Sequence, residues 1–246
     1  MAKTTIITCT QLTSDRLPYF ERAWASLQAQ SQQDFRWIVV LDAPRNPAPA
    51  FLSSDPRIHV ISSLTPLGAG PARSRALEQA DTDYVCTLDD DDEFTVTSLA
   101  TREAFLASNP RFGWVAGHMS DMAPDGTPAR DRWEQPARAG AYPPGRLLDT
   151  WENPRNWFPA LSHTFLMRTD LVLGGGGWEP GILQDIGVIA RLSETSTGQV
   201  LDDVVYHWRK HRGQVTNKVE GIERVAQSRH IWQKARALGA LFHDAA

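Results

Sequence analysis

An open, mostly parallel α/β sheet flanked by helices is the fold this sequence predicts. Short apolar, β-branched runs alternate along the chain with stretches of helical periodicity. Two of those runs end directly in acidic residues, at Leu41–Asp42 and Leu88–Asp89. A length of 246 residues with 41% apolar content suits one large domain with a full core.

The elements are expected in this order. Thr4 to Cys9 (TTIITC) is a β-branched strand. Asp15 is placed to cap a helix over Pro18 to Ala29, with proline in its first turn and an apolar face made by Phe20, Ala23, Trp24 and Leu27. Phe35 to Leu41 (FRWIVVL) is unbroken enough to be buried on both faces, as central parallel strands are. Pro44 to Pro49 is a loop, since its three prolines suit neither helix nor central strand. Arg57 to Ile61 is a third strand. Gly68–Ala69–Gly70 opens a helix over Pro71 to Ala80, and Tyr84 to Leu88 is a fourth strand leading into Asp89–Asp90–Asp91–Asp92–Glu93. Thr95 to Ala107 is a helix and Phe112 to Gly117 a fifth strand. The second half is less regular. It holds a turn at Pro124–Asp125–Gly126, a Gly-, Pro- and Trp-rich loop from Ala137 to Trp157, a strand over Ser162 to Met167 and a glycine hinge over Gly174 to Gly177. A helix over Ile182 to Leu192, a strand over Val200 to Tyr206 and a helix over Val219 to Leu238 complete it.

Composition narrows the partners. A net charge of −4 gives no reason to expect nucleic acid or an anionic membrane as a ligand. The stretch from Arg209 to Arg236 does carry eight Lys/Arg against Glu220 and Glu223, which reads either as a phosphate-facing surface or as a solvated helix face. No apolar run approaches the ~20 residues that span a bilayer, and the N-terminus lacks a secretory apolar region. Cys9 and Cys86 both sit inside strand-like runs and read as buried thiols. A cytoplasmic protein is expected.

The chemistry concentrates at a few places. Four consecutive aspartates at a strand's C-terminal end repel one another unless a cation offsets them. Ligands of open α/β sheets bind outside that end, and hard carboxylate oxygens there suit Mg²⁺ or Mn²⁺ bridging substrate phosphates. Asp42 ends the second strand at the same edge, where it could accept hydrogen bonds from a base or ribose, or serve as an ordinary turn residue. Arg73, in the first turn of the helix after the glycine loop, reads as a ligand of a pyrophosphate or as a surface arginine. Asp185 projects onto the face of Ile182, Ile189 and Leu192, where a carboxylate should be partnered or functional, and a general base is the favoured reading. His207, Arg209, Lys210, His211 and Arg212 follow the last strand and suit a diphosphate cradle.

Together these segments resemble glycosyltransferase family 2, the large inverting GT-A family. The stretches SLQAQSQQDFRWIVVLDAP and GAGPARSRALEQADTDYVCTLDDDDEF look like its successive nucleotide-binding motifs, GGWEPGILQDIGVIARL like its acceptor segment, and YHWRKHRGQVT like its late Arg-x-His-x-Gly motif. The wording DFRWIVVLDAPRNPAP is similar to a rhamnosyltransferase-like branch. The resemblance spans roughly Thr4 to Thr216. It implies a single GT-A domain in which residues 1–118 bind the nucleotide-sugar, 119–218 bind the acceptor and carry catalysis, and 219–246 add a C-terminal helix. It implies Asp42 at the base with Thr8 or Cys9 beside it, and Arg73, Asp89, Asp90 and Arg209 at the donor. Asp89 and Asp91 become the Asp-x-Asp pair that holds Mn²⁺ or Mg²⁺, with Asp91 the direct ligand and His211 beside it. Asp185 stands at the family's base, and the partners are a nucleoside-diphosphate sugar and a hydroxyl-bearing acceptor, whether glycan, lipid-linked or small molecule. Two departures stand out: Leu41–Asp42 replaces an Asp-Asp pair, and Gln184–Asp185 replaces Glu-Asp. A sugar nucleotidyltransferase would need a glycine-rich basic loop after the first strand, and Cys9 to Thr13 offers none. A non-catalytic nucleotide-sugar-binding module is the remaining alternative.

Overall fold

Ile6 and Ile7 are neighbours in sequence and are buried on opposite faces of the sheet, which is what a strand covered on both sides requires. The same alternation runs through Trp37, Val39 and Leu41 on one face and Ile38 and Val40 on the other. A computed structural model describes residues 2–130, 137–150, 162–181, 183–214 and 221–243.

The long strands pair in parallel. β1 (Thr4–Thr10) lies between β2 (Phe35–Asp42) and β4 (Tyr84–Thr87), and β3 (Ile58–Ser63) extends the sheet beyond β2. β6 (Phe112–Met122) and β10 (Thr197–Arg209) form a second parallel pair. The short β9 (Leu166–Arg168) joins the two groups by pairing antiparallel with both β4 and β6. β5 (Glu93–Phe94) closes the sheet antiparallel to β10, and β7 (Pro128–Arg130) and β8 (Gly140–Tyr142) pair with β6 and β10. The full order is β3-β2-β1-β4-β9-β6-β10-β5.

Helices cover both faces. α1 (Leu17–Gln28) and α4 (Ser98–Ser108) pack Phe20, Trp24, Leu27, Leu99 and Leu106 on the face that holds Trp37. Trp24, Trp37 and Phe51 stack there with near-parallel rings. α3 (Ala69–Leu77), α7 (Gln184–Thr195) and α8 (Gly221–His243) cover the other face through Ala72, Ala76, Val188, Ile189 and Ala235. The short helices α2 (Phe51–Ser54), α5 (Arg146–Asp149) and α6 (Thr169–Gly174) fill connections.

Several local expectations change. Asp15 does not cap α1: Arg16 occupies the cap position, and its guanidinium, which has no acceptor to offer the first helical N–H groups, pairs with the aspartates. The strand expected over Ser162 to Met167 is a 3₁₀ turn over Ser162–Thr164 followed by β9, and the glycine hinge begins as the end of α6. β6 runs on to Met122, so the expected division at residue 118 falls inside a strand. Ile182, Thr216, Trp133 and the 151–157 end of the Trp-rich loop, with Trp151 and Trp157, lie outside the described residues. Among the described residues no helix is long and apolar enough to cross a membrane.

Candidate active site

Because β1, β2 and β4 run parallel, the residues at their C-terminal ends share one edge of the sheet. Cys9, Asp42 and the aspartate run collect there. Each carboxylate of the run has its own neighbours. Asp89 accepts from the Arg73 guanidinium at 2.5 Å, and its second oxygen lies 3.4 Å from Nε2 of His163. Asp90 accepts from the Thr10 hydroxyl at 2.6 Å and from Arg16 at 2.9 Å. Asp91 meets Arg16 and, at 2.8 Å, Nε2 of His211. Gly213 donates its N–H to Nδ1 of His211, so that ring presents its Nε2 proton to Asp91. Asp92 accepts from the Tyr206 hydroxyl at 2.9 Å and from the backbone N–H of Arg209 at 2.8 Å.

The electrostatics follow from crowding. Burial and then the charge of Asp91 push Asp90 up to about 7. Burial, Asp91 and Asp89 drive Asp92 well above the usual carboxylate range. Asp89 goes the other way: burial opposes its ionisation, but His163, Arg73 and Arg16 outweigh that and hold it below the ordinary value. Carboxylates that disfavour one another's charge make a site whose strain a cation would relieve. Among the described residues, Asp89, Asp91 and Asp92 offer oxygens within 4.8 Å of one another. An all-carboxylate set with one imidazole alongside fits Mg²⁺ or Mn²⁺.

Arg73 is buried on α3, with only 4% of its surface exposed. One nitrogen holds Asp89, while Nε and the other terminal nitrogen find no hydrogen-bond partner among the described residues. Buried N–H groups without acceptors are costly, so this guanidinium is set up to receive an anion. Gly70, one turn before it, packs where a Cβ would fall 2.1 Å from the backbone oxygen of Glu179; only glycine lets α3 meet that segment. Ser74 secures the contact with two hydrogen bonds to the backbone of Trp178. The 177–181 turn leads into α7, so these contacts carry Asp185 to the aspartate edge. Asp185 lies in the first turn of α7, where a carboxylate is favoured. The Ser162 hydroxyl donates to it, and His163 Nε2 is 3.8 Å away.

The profile of Glycosyl transferase family 2 matches residues 5–160, more than half of the chain. The chain belongs to that family. A curated relative, the "Putative teichuronic acid biosynthesis glycosyltransferase TuaG" of Bacillus subtilis (strain 168), is 33% identical over 114 residues, covering 45% of this chain and 45% of the relative. The chain therefore aligns with under half of that protein. Among solved structures, S. aureus TarS 1-349 in complex with UDP-GlcNAc gives a TM-score of 0.73 at 18% identity, covering 98% of this chain and 71% of that one. A further crystal structure of S. aureus TarS 1-349 gives 0.67 at 20% identity, covering 84% and 60%. These likenesses show the GT-A-type fold.

Two of the side chains expected at the donor turn inward. Of Thr8 and Cys9, either of which was expected beside the base, Thr8 is tied into the core: its hydroxyl donates to the Leu88 carbonyl at 2.6 Å and accepts from Trp37 Nε1 at 2.9 Å. Strand alternation puts Cys9 on the opposite face, the one α3 covers, near the charges of Arg73, Asp89 and Asp42. Arg209 does not line a diphosphate cradle. It is fully buried, donating to the carbonyls of Asp91, Ala123 and Pro124 and pairing with Glu93, so its fork is spent on tying the aspartate run to β10. Asp42 has a further occupation: its carboxylate accepts from the N–H groups of Leu67 at 2.6 Å and Gly68 at 3.1 Å, which shapes the loop before Arg73. Asp185 is partnered rather than set in an apolar face, because α7 starts at Gln184 and turns it toward Ser162 and His163.

Three site residues escaped the sequence reading. Arg16 lies in an unremarkable loop, His163 in a segment read as plain strand, and Tyr206 at the end of a strand. Only the proximity of Arg16 to α1's proline start and of His163 to a buried strand hinted at them, and neither hint carries chemistry without the fold.

Proposed function

We propose that this chain is a metal-dependent inverting glycosyltransferase that moves a sugar from a nucleoside-diphosphate sugar to an acceptor hydroxyl, with Asp185 as general base. The observation that carries this reading is Arg73: a buried guanidinium between Asp89, Cys9 and Asp185, with donors that lack acceptors. A diphosphate is the anion such a fork suits. The TarS structures were solved with UDP-GlcNAc and with UDP, which supports a nucleoside diphosphate here.

The roles follow from the placement. Asp42 and Cys9 frame the base end of the donor, and Arg73 takes the diphosphate. Asp91 and Asp89, with His211 beside them, would hold Mn²⁺ or Mg²⁺, and such an ion supplies positive charge against a leaving diphosphate. Asp90 is used in holding Arg16 and Thr10, so its part is to keep the run in shape. Asp185 accepts the proton of the acceptor hydroxyl as that oxygen bonds to the anomeric carbon. The bond from that carbon to the diphosphate breaks and its electron pair leaves with the phosphate oxygen, so configuration inverts. The acceptor is a hydroxyl on a glycan, a lipid-linked sugar or a small molecule.

A thermal-shift panel tests this. Nucleoside diphosphates and their sugars, each with and without Mn²⁺, should raise the melting temperature only where base, diphosphate and metal are all present. A panel in which no nucleotide shifts the melt with Mn²⁺ would remove the reading.

A further inference from the structure

His163 is the point where the two ends of the site meet. Its Nε2 lies 3.4 Å from an oxygen of Asp89 and 3.8 Å from an oxygen of Asp185. On the other side Nδ1 is 3.3 Å from the Thr87 hydroxyl, and the ring stacks on Tyr206 with centroids 5.6 Å apart. Thr87, at the end of β4, and Tyr206, on β10, are buried. The imidazole is thus held by the sheet on one side and faces two carboxylates on the other. With the Thr87 hydroxyl donating to Nδ1, Nε2 carries the proton and points it between Asp89 and Asp185. At these separations the contact is an electrostatic tether shared by two acceptors, one nearer than the other.

We propose that His163 is a positioning residue for glycosyl transfer: its Nε2–H fixes Asp185 relative to Asp89, and so fixes the base relative to the end of the site where the diphosphate leaves. The inference rests on the reading of Asp185 as base. The neighbouring Ser162 hydroxyl holds the same Asp185 oxygen from the adjacent residue, so one short turn sets the carboxylate by two contacts. Without the imidazole, Asp185 keeps its serine partner but loses its register against Asp89. A shift on the order of 1 Å at a reacting group is enough to cost heavily in rate.

The test compares His163→Ala, His163→Phe and His163→Gln with Asp185→Asn and with His163→Phe/Asp185→Asn. Phenylalanine preserves the stacking on Tyr206 and so guards against a folding defect in the alanine variant. Turnover is read as nucleoside diphosphate released from whichever of a set of UDP-, GDP- and dTDP-sugars the parent consumes fastest with Mn²⁺, and binding as the calorimetric affinity for the matching diphosphate with Mn²⁺. Alanine and phenylalanine should lower turnover by roughly 10–100-fold, with diphosphate affinity within about threefold of the parent, a split that the roles above require. Glutamine, which can return an N–H near Nε2, should recover most of the loss. The double variant should be no worse than Asp185→Asn alone, because His163 acts through that carboxylate. Parent-like turnover in the phenylalanine variant, a glutamine variant no better than alanine, or losses that add to those of Asp185→Asn would overturn the inference while leaving the base intact. Full turnover in Asp185→Asn, or no donor consumed by the parent, would instead overturn the base and this inference with it.

Discussion

The aspartate run and Asp185 both approach His163, but different forces hold them there. The run sits directly after β4, and β1 and β10 grip it through Thr10, Arg209 and Tyr206. Its place follows from strand order and from a buried arginine. Asp185 sits on a helix reached through the glycine-rich 174–177 stretch. It is carried into position by Gly70 against Glu179, Ser74 on Trp178 and the Ser162 hydroxyl. The first region belongs to the sheet. The second is a helix end docked on it. Groups built into the frame and a carboxylate brought to them by packing can be altered separately, and experiments can pull them apart.

The largest effect should come from the docked region. Asp185→Asn keeps the side chain's size and most of its hydrogen bonding but cannot take a proton. Donor turnover should fall by roughly 10²–10⁴-fold, while calorimetry shows unchanged diphosphate binding with Mn²⁺. Loss of binding together with turnover would show that Asp185 supports the frame as well, and the comparison would collapse.

In the frame, Asp91→Ala should abolish the Mn²⁺-dependent thermal shift given by nucleotide, and a chelator should do the same to the parent. A variant that still answers to metal plus nucleotide would move the metal ligand elsewhere in the run.

The two arginines sharpen the comparison within the frame. Arg209→Ala leaves Glu93 without its buried partner and frees the aspartate run from β10. Urea unfolding should show a loss of about 3–5 kcal/mol, as for a broken buried ion pair. Arg73→Ala removes a guanidinium that has unfilled donors, so its stability cost should be the smaller of the two, and its effect should appear as weaker diphosphate binding. Equal stability losses in both would say that Arg73 is structural too.

The smallest effect concerns the thiols. Burial pushes Cys9 up to about 12 and Cys86 up to about 11. Both therefore stay protonated at pH 8 and should resist iodoacetamide until the protein unfolds, as mass spectrometry can check. Rapid native labelling of Cys9 would show that its face of β1 is more open than its surroundings imply.

Much of the frame was legible in the sequence because its logic is local. A β-branched run that ends in acids needs no partner to be recognised, and parallel strands bring such ends to one edge. Asp42 and the aspartate run could be picked out that way; Arg73 was read from the glycine loop before its helix, and His211 from the basic run after the last strand. Arg209 was misread because a basic residue after a strand looks the same whether it faces a ligand or turns inward. Its burial depends on where Glu93 and the 123–124 carbonyls fall. Between Thr8 and Cys9, which the sequence left open, a single step of strand alternation separates the two faces of the sheet. Asp185 was read as a base, yet the groups around it were not foreseen, since Ser162 and His163 lie more than twenty residues away. By itself the sequence determined the sheet, its acidic edge and the types of group available there. Only the tertiary structure decided which groups are spent on holding the fold and which gather at the strand-end edge, because that depends on the burial and hydrogen-bond geometry of residues distant in the chain.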